Sequence, residues 1–161
     1  RVMTFQAFTK TITAALCGAA LATAVSAQED AVLTVTAGDM EHTYTMEQLK
    51  ELPSSSFETE TIWTEGAQTF QGVSLKDLMD TLDVSEGMIE ATAINDYAVE
   101  IPMEDAVSDG PIIAYANNDK EMSRRGKGPL WIVYPYDSDV KYQTETIYSR
   151  SIWQLNRLAI K

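Results

Sequence analysis

Cysteine and histidine are almost absent from this sequence of 161 residues. It contains one cysteine, Cys17, and one histidine, His42. A thiol nucleophile, a thiolate metal ligand and a redox-active thiol pair all require cysteine, so none of them is expected after residue 17. A lone histidine gives no particular support to a Ser-His-Asp or Cys-His catalytic arrangement. We interpret His42 as an exposed hairpin residue rather than as a metal ligand.

Positive charge is also scarce, because 12 Lys and Arg residues face 24 Asp and Glu residues, for a net charge of −12. So acidic a chain is repelled by nucleic acid and by anionic membrane surfaces, and neither is an expected partner. Residues 120–161 hold eight of the basic residues against four acidic ones, whereas residues 28–119 hold two against twenty. This asymmetry predicts a local basic site for one small ligand.

The first 27 residues have the pattern of a secretory signal peptide. Arg1 and Lys10 precede an uncharged apolar stretch that ends in Ala-Val-Ser-Ala at Ala27. Small residues at these positions suit a signal peptidase, so we predict cleavage after Ala27 and export to the periplasm. Removing the two basic residues of this stretch changes the net charge from −12 to −14. Leu16 precedes Cys17 where a lipoprotein signal has a small residue, so lipidation is not expected.

Residues 28–161 are predicted to form one α+β domain with mixed β-sheets and short helices. Strand-like segments outnumber the helical ones, and no linker or repeat divides the chain. The predicted strands cover residues 31–36, 42–45, 57–64, 68–73, 88–93, 98–102, 112–117 and 130–134. The predicted helices cover residues 46–52, 75–82 and 103–108, with Ser74 as the N-cap of the second. A polar region, residues 137–144, separates the last strand from a final segment around residues 152–155.

A basic, glycine-rich run from Arg124 to Gly128 leads directly into the apolar strand around residues 130–134. Glycine allows close backbone approach, and such a loop can present cations and free N–H groups to a polar ligand. The run is equally consistent with a solvated surface turn.

Four segments, in this order, resemble the molybdopterin-binding domain of sulfite oxidase-type enzymes. They are Gly72-Val-Ser-Leu-Lys-Asp-Leu-Met79, Asn95-Asp-Tyr-Ala-Val-Glu-Ile-Pro102, Ile112-Ile-Ala-Tyr115 and Gly128-Pro-Leu-Trp-Ile-Val-Tyr-Pro135. The resemblance implies that family's α+β fold, with a pterin pocket formed by loops at one end. In the enzymes, a cysteine before the first segment ligates molybdenum. Here residues 58–66 contain no cysteine, and threonine cannot replace a soft thiolate donor.

Among proteins with this domain, the chain resembles small cysteine-less periplasmic proteins that bind a pterin without metal and present it to a membrane-bound regulator of cyclic di-GMP. This resemblance implies a small-molecule pterin ligand, an inner-membrane signalling partner and no catalytic residue. After cleavage, the protein is not expected to be embedded in the membrane. An alternative is a molybdopterin-dependent periplasmic oxidoreductase or its subunit. A third is an interaction module without a ligand.

The chemistry of a pterin selects the candidate ligand-binding residues. Its pyrimidine edge offers N–H donors to a carboxylate such as Asp96, and a carbonyl to an arginine. Its flat rings require aromatic walls, for which Trp63, Tyr97 and Tyr136 are suited. We expect Trp131 and Trp153 to belong to the core, and Asp96 to be either a ligand residue or part of a turn. The complete set of candidates is Trp63, Asn95, Asp96, Tyr97, Arg124, Arg125, Gly128, Tyr136 and Arg150.

Overall fold

The computed structural model describes residues 30–161, so the predicted signal peptide lies outside the described residues. In this part of the chain, three short α-helices and two β-sheets form an α+β domain, as the sequence predicts. The helices are α1 Met46–Glu51, α2 Leu75–Thr81 and α3 Glu145–Arg150. The strands are β1 Leu33–Ala37, β2 Met40–Tyr44, β3 Ser54–Glu60, β4 Ala67–Ser74, β5 Met88–Ala93, β6 Ala98–Pro102, β7 Ile112–Asn117, β8 Lys120–Glu121, β9 Trp131–Val133 and β10 Leu155–Ile160.

The first sheet has the strand order β2-β1-β10-β5-β6. The C-terminal strand β10 is inserted at its centre, parallel to β1 and antiparallel to β5. The second sheet has the order β3-β4-β7-β8, and β9 pairs with β7. Buried apolar side chains from both sheets, including Leu33, Phe70, Ile89 and Trp131, form one continuous core. Burial of these side chains is the main stabilising contribution to the fold.

Local signals in the sequence explain the starts of α1 and α2 and the close pairing of β4 with β7. Helix α1 begins with a capping box, in which Thr45 Oγ1 accepts from Gln48 N–H and the Gln48 side chain accepts from Thr45 N–H. Ser74 caps α2, as predicted. Gly72 is required by packing, because a Cβ there would lie 1.9 Å from the carbonyl oxygen of Ile113. The two central strands β4 and β7 can therefore pair closely only with glycine at this position.

The structure corrects two of the predicted elements and adds others that were not predicted. The predicted strand 57–64 ends at Glu60, and the chain turns over residues 61–66. The predicted helix 103–108 is only a 3-10 turn, Met103–Asp105. Helix α3 and strands β8 and β10 were not predicted at all. The hairpin position of His42 is confirmed, since it is exposed on β2 opposite Val35.

None of the helices in residues 30–161 is both long enough and apolar enough to cross a membrane.

Candidate functional site

A cavity of about 300 Å³ opens where turns from both sheets meet the segment between α3 and β10. The β3–β4 turn contributes Trp63, and the β5–β6 turn contributes Asn95 and Tyr97. The remaining lining comes from the end of β5 and from the chain around the end of α3. The complete lining is Trp63, Ala93, Asn95, Tyr97, Tyr148, Ser149, Ser151, Ile152, Trp153 and Gln154. Its volume is at the lower end of the range for small-molecule sites.

Trp63 stands at the centre of an aromatic cluster beside the cavity. Its ring centroid lies 5.6 Å from that of Trp153, 5.8 Å from Tyr148, 5.9 Å from Trp131 and 6.3 Å from Tyr136. All four contacts are edge-to-face, with interplanar angles from 67° to 85°. This is a favourable arrangement of aromatic quadrupoles, so the cluster fixes the indole of Trp63 before any ligand binds.

The two tryptophans expected in the core have different positions. Trp131 is buried, as expected, and its Nε1 donates to the carbonyl oxygen of Ser151 at 3.1 Å. For Trp153 the expectation was wrong, because its side chain is 38% exposed and lines the cavity. The ammonium group of Lys127 lies over both rings, 5.1 Å from Trp153 and 5.5 Å from Trp131. Cation–π attraction therefore ties the basic loop to the aromatic wall.

The polar part of the lining is neutral. It consists of two amides, Asn95 and Gln154, and two hydroxyls, Ser149 and Ser151. The ten lining residues include no Asp, Glu, His, Lys or Arg, and Tyr97 and Tyr148 supply phenol groups. Within residues 30–161, no three His, Cys, Asp or Glu side chains gather as they would around a metal ion.

The hydroxyl of Ser151 is already engaged by the protein. Its Oγ accepts from Tyr136 Oη at 2.7 Å and donates to the carbonyl oxygen of Ile147 at 2.8 Å. Burial raises the pKa of Tyr136 to about 12, so this phenol stays protonated and donates. Ser151 thus fixes the backbone behind the cavity, and the amides are the groups available to a ligand.

A half-buried carboxylate anchors α3 to the first sheet. Asp105 Oδ2 accepts from Tyr134 Oη at 2.7 Å and from Arg150 Nη1 at 2.9 Å. Burial, followed by the negative charge of Asp105, raises the pKa of Tyr134, so Tyr134 is a permanent donor. Because Arg150 is the last residue of α3, its ion pair fixes the end of the helix from which Ser149 and Ser151 reach the cavity.

The structure brings four of the nine predicted site residues together. Trp63, Asn95 and Tyr97 line the cavity, and the ring of Tyr136 is buried behind Trp63.

The other five lie outside the lining. Asp96 occupies the β5–β6 turn with φ +66°, and its exposed carboxylate accepts from Arg157 Nη2. Arg150 is paired with Asp105.

Arg124 and Arg125 are exposed in the basic loop. Arg124 contacts the site through its backbone oxygen, which accepts from Gln154 Nε2. Gly128 is buried, where a Cβ would lie 1.9 Å from the Met122 carbonyl oxygen.

Sequence reasoning missed the six lining residues that follow residue 147. Trp153 was expected in the core, and the other five, Tyr148, Ser149, Ser151, Ile152 and Gln154, were not proposed. A helix signal was present, since Thr144 caps α3 and an acidic residue, Glu145, lies in its first turn. Recognising α3 would have placed this segment between a helix end and a strand, where loops commonly carry binding residues.

Comparisons with known proteins agree with this architecture. The family model for the oxidoreductase molybdopterin binding domain matches residues 21–139. The chain therefore belongs to this family, and the resemblance to sulfite oxidase-type domains is confirmed. Among solved structures, the sulfane dehydrogenase SoxCD from Paracoccus pantotrophus has the same fold, with a TM-score of 0.60 and 18% identity. The match covers 80% of this chain but only 37% of the SoxCD chain. No curated protein sequence matches the chain.

Proposed function

We propose that this protein binds a pterin without metal in the cavity beside Trp63. The observation that carries the proposal is the lining itself, which combines aromatic walls with neutral amides and hydroxyls. A pterin is a flat, uncharged bicycle with several donors and acceptors along its edges. Aromatic faces bind such rings through stacking and apolar contact, and amides satisfy the polar edges. A family that binds molybdopterin also makes a pterin the natural class of ligand.

The residues at the site fit the ring system better than the family's complete cofactor. The sulfur ligand that the family's enzymes supply to molybdenum has no counterpart, because Cys17 is the only cysteine in the sequence. Molybdopterin also carries a phosphate, which usually requires cationic side chains or free N–H groups. The lining contains no lysine or arginine, and the nearby Arg150 is held by Asp105. We therefore assign the cavity to the heterocycle alone.

We further propose that the protein is exported to the periplasm and presents the bound pterin to a membrane-bound regulator of cyclic di-GMP. The predicted signal peptide supports export. The exposed rim of the cavity supports recognition by a second protein, since Tyr97 is 57% and Trp153 is 38% exposed. Ile62 and Ile94, which neighbour lining residues in the chain, are exposed as well. Exposed apolar residues close to a ligand site are typical of protein-binding surfaces.

Titration of the protein with neopterin and monapterin tests the binding proposal. Tryptophan fluorescence is a direct reporter, because two of the three tryptophans line the cavity. Calorimetry should give saturable binding of one pterin per chain, and Tyr97→Leu should weaken it by about tenfold through loss of an aromatic wall. Tyr44→Leu is a matched control, since Tyr44 lies at the end of β2 and not in the lining. If neither neopterin nor monapterin binds, the proposal is refuted.

Family membership also favours a second candidate, a molybdopterin-dependent oxidoreductase or its subunit. Expression with and without molybdate, followed by metal analysis and mass spectrometry of any co-purified molecule, separates the two. Stoichiometric molybdenum with turnover of an oxidisable substrate would replace the metal-free proposal.

A further inference from the structure

Two amide side chains in the cavity are fixed by the protein in complementary orientations. The Asn95 side chain turns its oxygen towards the backbone, because Oδ1 accepts from Tyr97 N–H at 3.2 Å. The Gln154 side chain turns its nitrogen away, because Nε2 donates to the carbonyl oxygens of Arg124 at 2.7 Å and Gly126 at 3.1 Å. Both Nε2 hydrogens of Gln154 are thereby used.

Each amide keeps one group that the protein's own hydrogen bonds do not use, and these two groups are a donor and an acceptor. Asn95 retains the Nδ2 donors and Gln154 retains the Oε1 acceptor, and within residues 30–161 neither atom has a protein hydrogen-bond partner. Reversal of either amide would be unfavourable. A flipped Asn95 would point its nitrogen at Tyr97 N–H, and a flipped Gln154 would point its oxygen at two carbonyls.

The backbone brings these two side chains to neighbouring positions. Ala93 at the end of β5 pairs with Leu155 at the start of β10. One step further, Ile94 N–H donates to the Gln154 carbonyl oxygen at 2.8 Å. Gln154 has φ +52°, an uncommon conformation for a residue other than glycine. This strained conformation sets Gln154 apart from the extended strand that follows it and is consistent with a functional position.

We propose that Asn95 and Gln154 together recognise a lactam edge, that is, a ring N–H beside a ring carbonyl. Gln154 Oε1 accepts from the ring N–H, and Asn95 Nδ2 donates to the ring carbonyl. This inference rests on the proposed pterin-binding function and adds its specificity, since it requires the 4-oxo form of a pterin. It also gives the basic loop a positioning role, because the loop carbonyls orient the Gln154 amide.

A matched pair of ligands tests the proposal on the full chain. 6-Hydroxymethylpterin has the lactam edge, whereas 2,4-diamino-6-hydroxymethylpteridine replaces the carbonyl by an amino group and the ring N–H by a lone pair. The Gln154 oxygen, an acceptor, would then face a lone pair, and the Asn95 nitrogen, a donor, would face an amino group. We expect the diamino compound to bind at least about tenfold more weakly at neutral pH, which is a cost of about 1.4 kcal/mol.

Asn95→Asp is the critical variant, because it keeps the oxygen that accepts from Tyr97 N–H and replaces only the donor. The variant should bind 6-hydroxymethylpterin more weakly and should gain affinity for the diamino compound relative to it. The Kd of the diamino compound divided by that of 6-hydroxymethylpterin should therefore fall at least about tenfold. Asp96→Asn is the matched control. It lies in the same turn, also changes the charge by one, and does not line the cavity, so its ratio should equal that of the wild type.

Four outcomes would overturn the proposal. If both compounds bind the wild type equally, or if Asn95→Asp leaves the ratio unchanged in a folded protein, the lactam inference is wrong while pterin binding stands. If Asp96→Asn changes the ratio instead, Asp96 is the specificity residue. If neither compound binds, the proposed function fails, and the inference fails with it.

Discussion

Asp105→Ala should destabilise the protein and weaken ligand binding at the same time. The substitution removes the acceptor shared by Tyr134 Oη and Arg150 Nη1. It leaves a buried phenol without a partner and a largely buried guanidinium without a counter-charge. The side chains of Arg150 and Asp105 are only 23% and 17% exposed, so solvent replaces the lost contacts poorly.

The expected size of the effect follows from these two contacts. A hydrogen bond to a charged group contributes about 1.5–3 kcal/mol, which gives an upper range of about 3–6 kcal/mol for the pair. Arg150 can regain some hydration by turning outwards, so we expect about 3 kcal/mol. Asp105→Asn keeps an acceptor for Tyr134 but loses the charge, and it should cost about half as much. A loss of 3 kcal/mol is a large part of the stability of a domain of this size.

Urea denaturation at neutral pH, followed by tryptophan fluorescence, measures the change. The midpoint should shift while the slope stays constant, because the surface exposed on unfolding is unchanged. A double-mutant cycle with Arg150→Met isolates the ion pair and should give a coupling of at least about 1 kcal/mol. The reasoning is refuted if Asp105→Ala costs less than about 1 kcal/mol, or if the two substitutions are additive. Pterin affinity should fall in parallel, since the ion pair fixes the end of α3, where Ser149 and Ser151 line the cavity.

Two further variants probe the same region. Tyr136→Phe should reduce the alkaline sensitivity of the fold. Burial raises the pKa of Tyr136 from about 10 in the unfolded state to about 12 in the folded state, so the wild type keeps this stabilisation below pH 10 and loses roughly 3 kcal/mol as the pH rises from 10 through 12. Urea titrations at pH 8 and at pH 11 to 12 should therefore show the gap between variant and wild type closing, and a constant gap would contradict the assignment. Gly128→Ala should cost about 1–3 kcal/mol in thermal denaturation, because its Cβ would lie 1.9 Å from the Met122 carbonyl oxygen. Gly126→Ala in the same loop meets nothing closer than 3.6 Å and should be within about 0.5 kcal/mol of the wild type, so equal effects would show that loop packing is not the cause.

The elements whose apolar and polar residues alternate clearly in the sequence were predictable, and the fold class followed from them. Strands β5 and β6 were predicted with their observed ends, because a turn at Asn95 and Asp96 separates two β-rich runs. Strand β10 was missed. It carries Asn156 and Arg157 between apolar residues, so its position at the centre of a sheet depends on pairing with β1 and β5. Pairing over such distances leaves no local signal.

The candidate site was predictable only where a side chain type implied its role. Trp63 and Tyr97 were selected as aromatic walls, and both line the cavity. Charged residues were poor candidates, because oppositely charged side chains elsewhere in the protein form ion pairs with them. Asp96 is paired with Arg157 and Arg150 with Asp105, and no pattern in the sequence indicates such distant partners.

The origin of the lining residues limits what family membership can say about the ligand. Trp63, Asn95 and Tyr97 lie within the residues matched by the family, 21–139, but Tyr148 to Gln154 lie after them. Part of the lining therefore lies in the segment that the family model matches, and the rest lies after that segment. Gln154 lies in the later part, and its side-chain amide is oriented by carbonyls of the basic loop. In the proposed lactam recognition, the basic loop acts through these backbone carbonyls rather than through its arginines. Ligand identity in this protein should accordingly change more readily with substitutions after residue 144 than with substitutions in the matched strands.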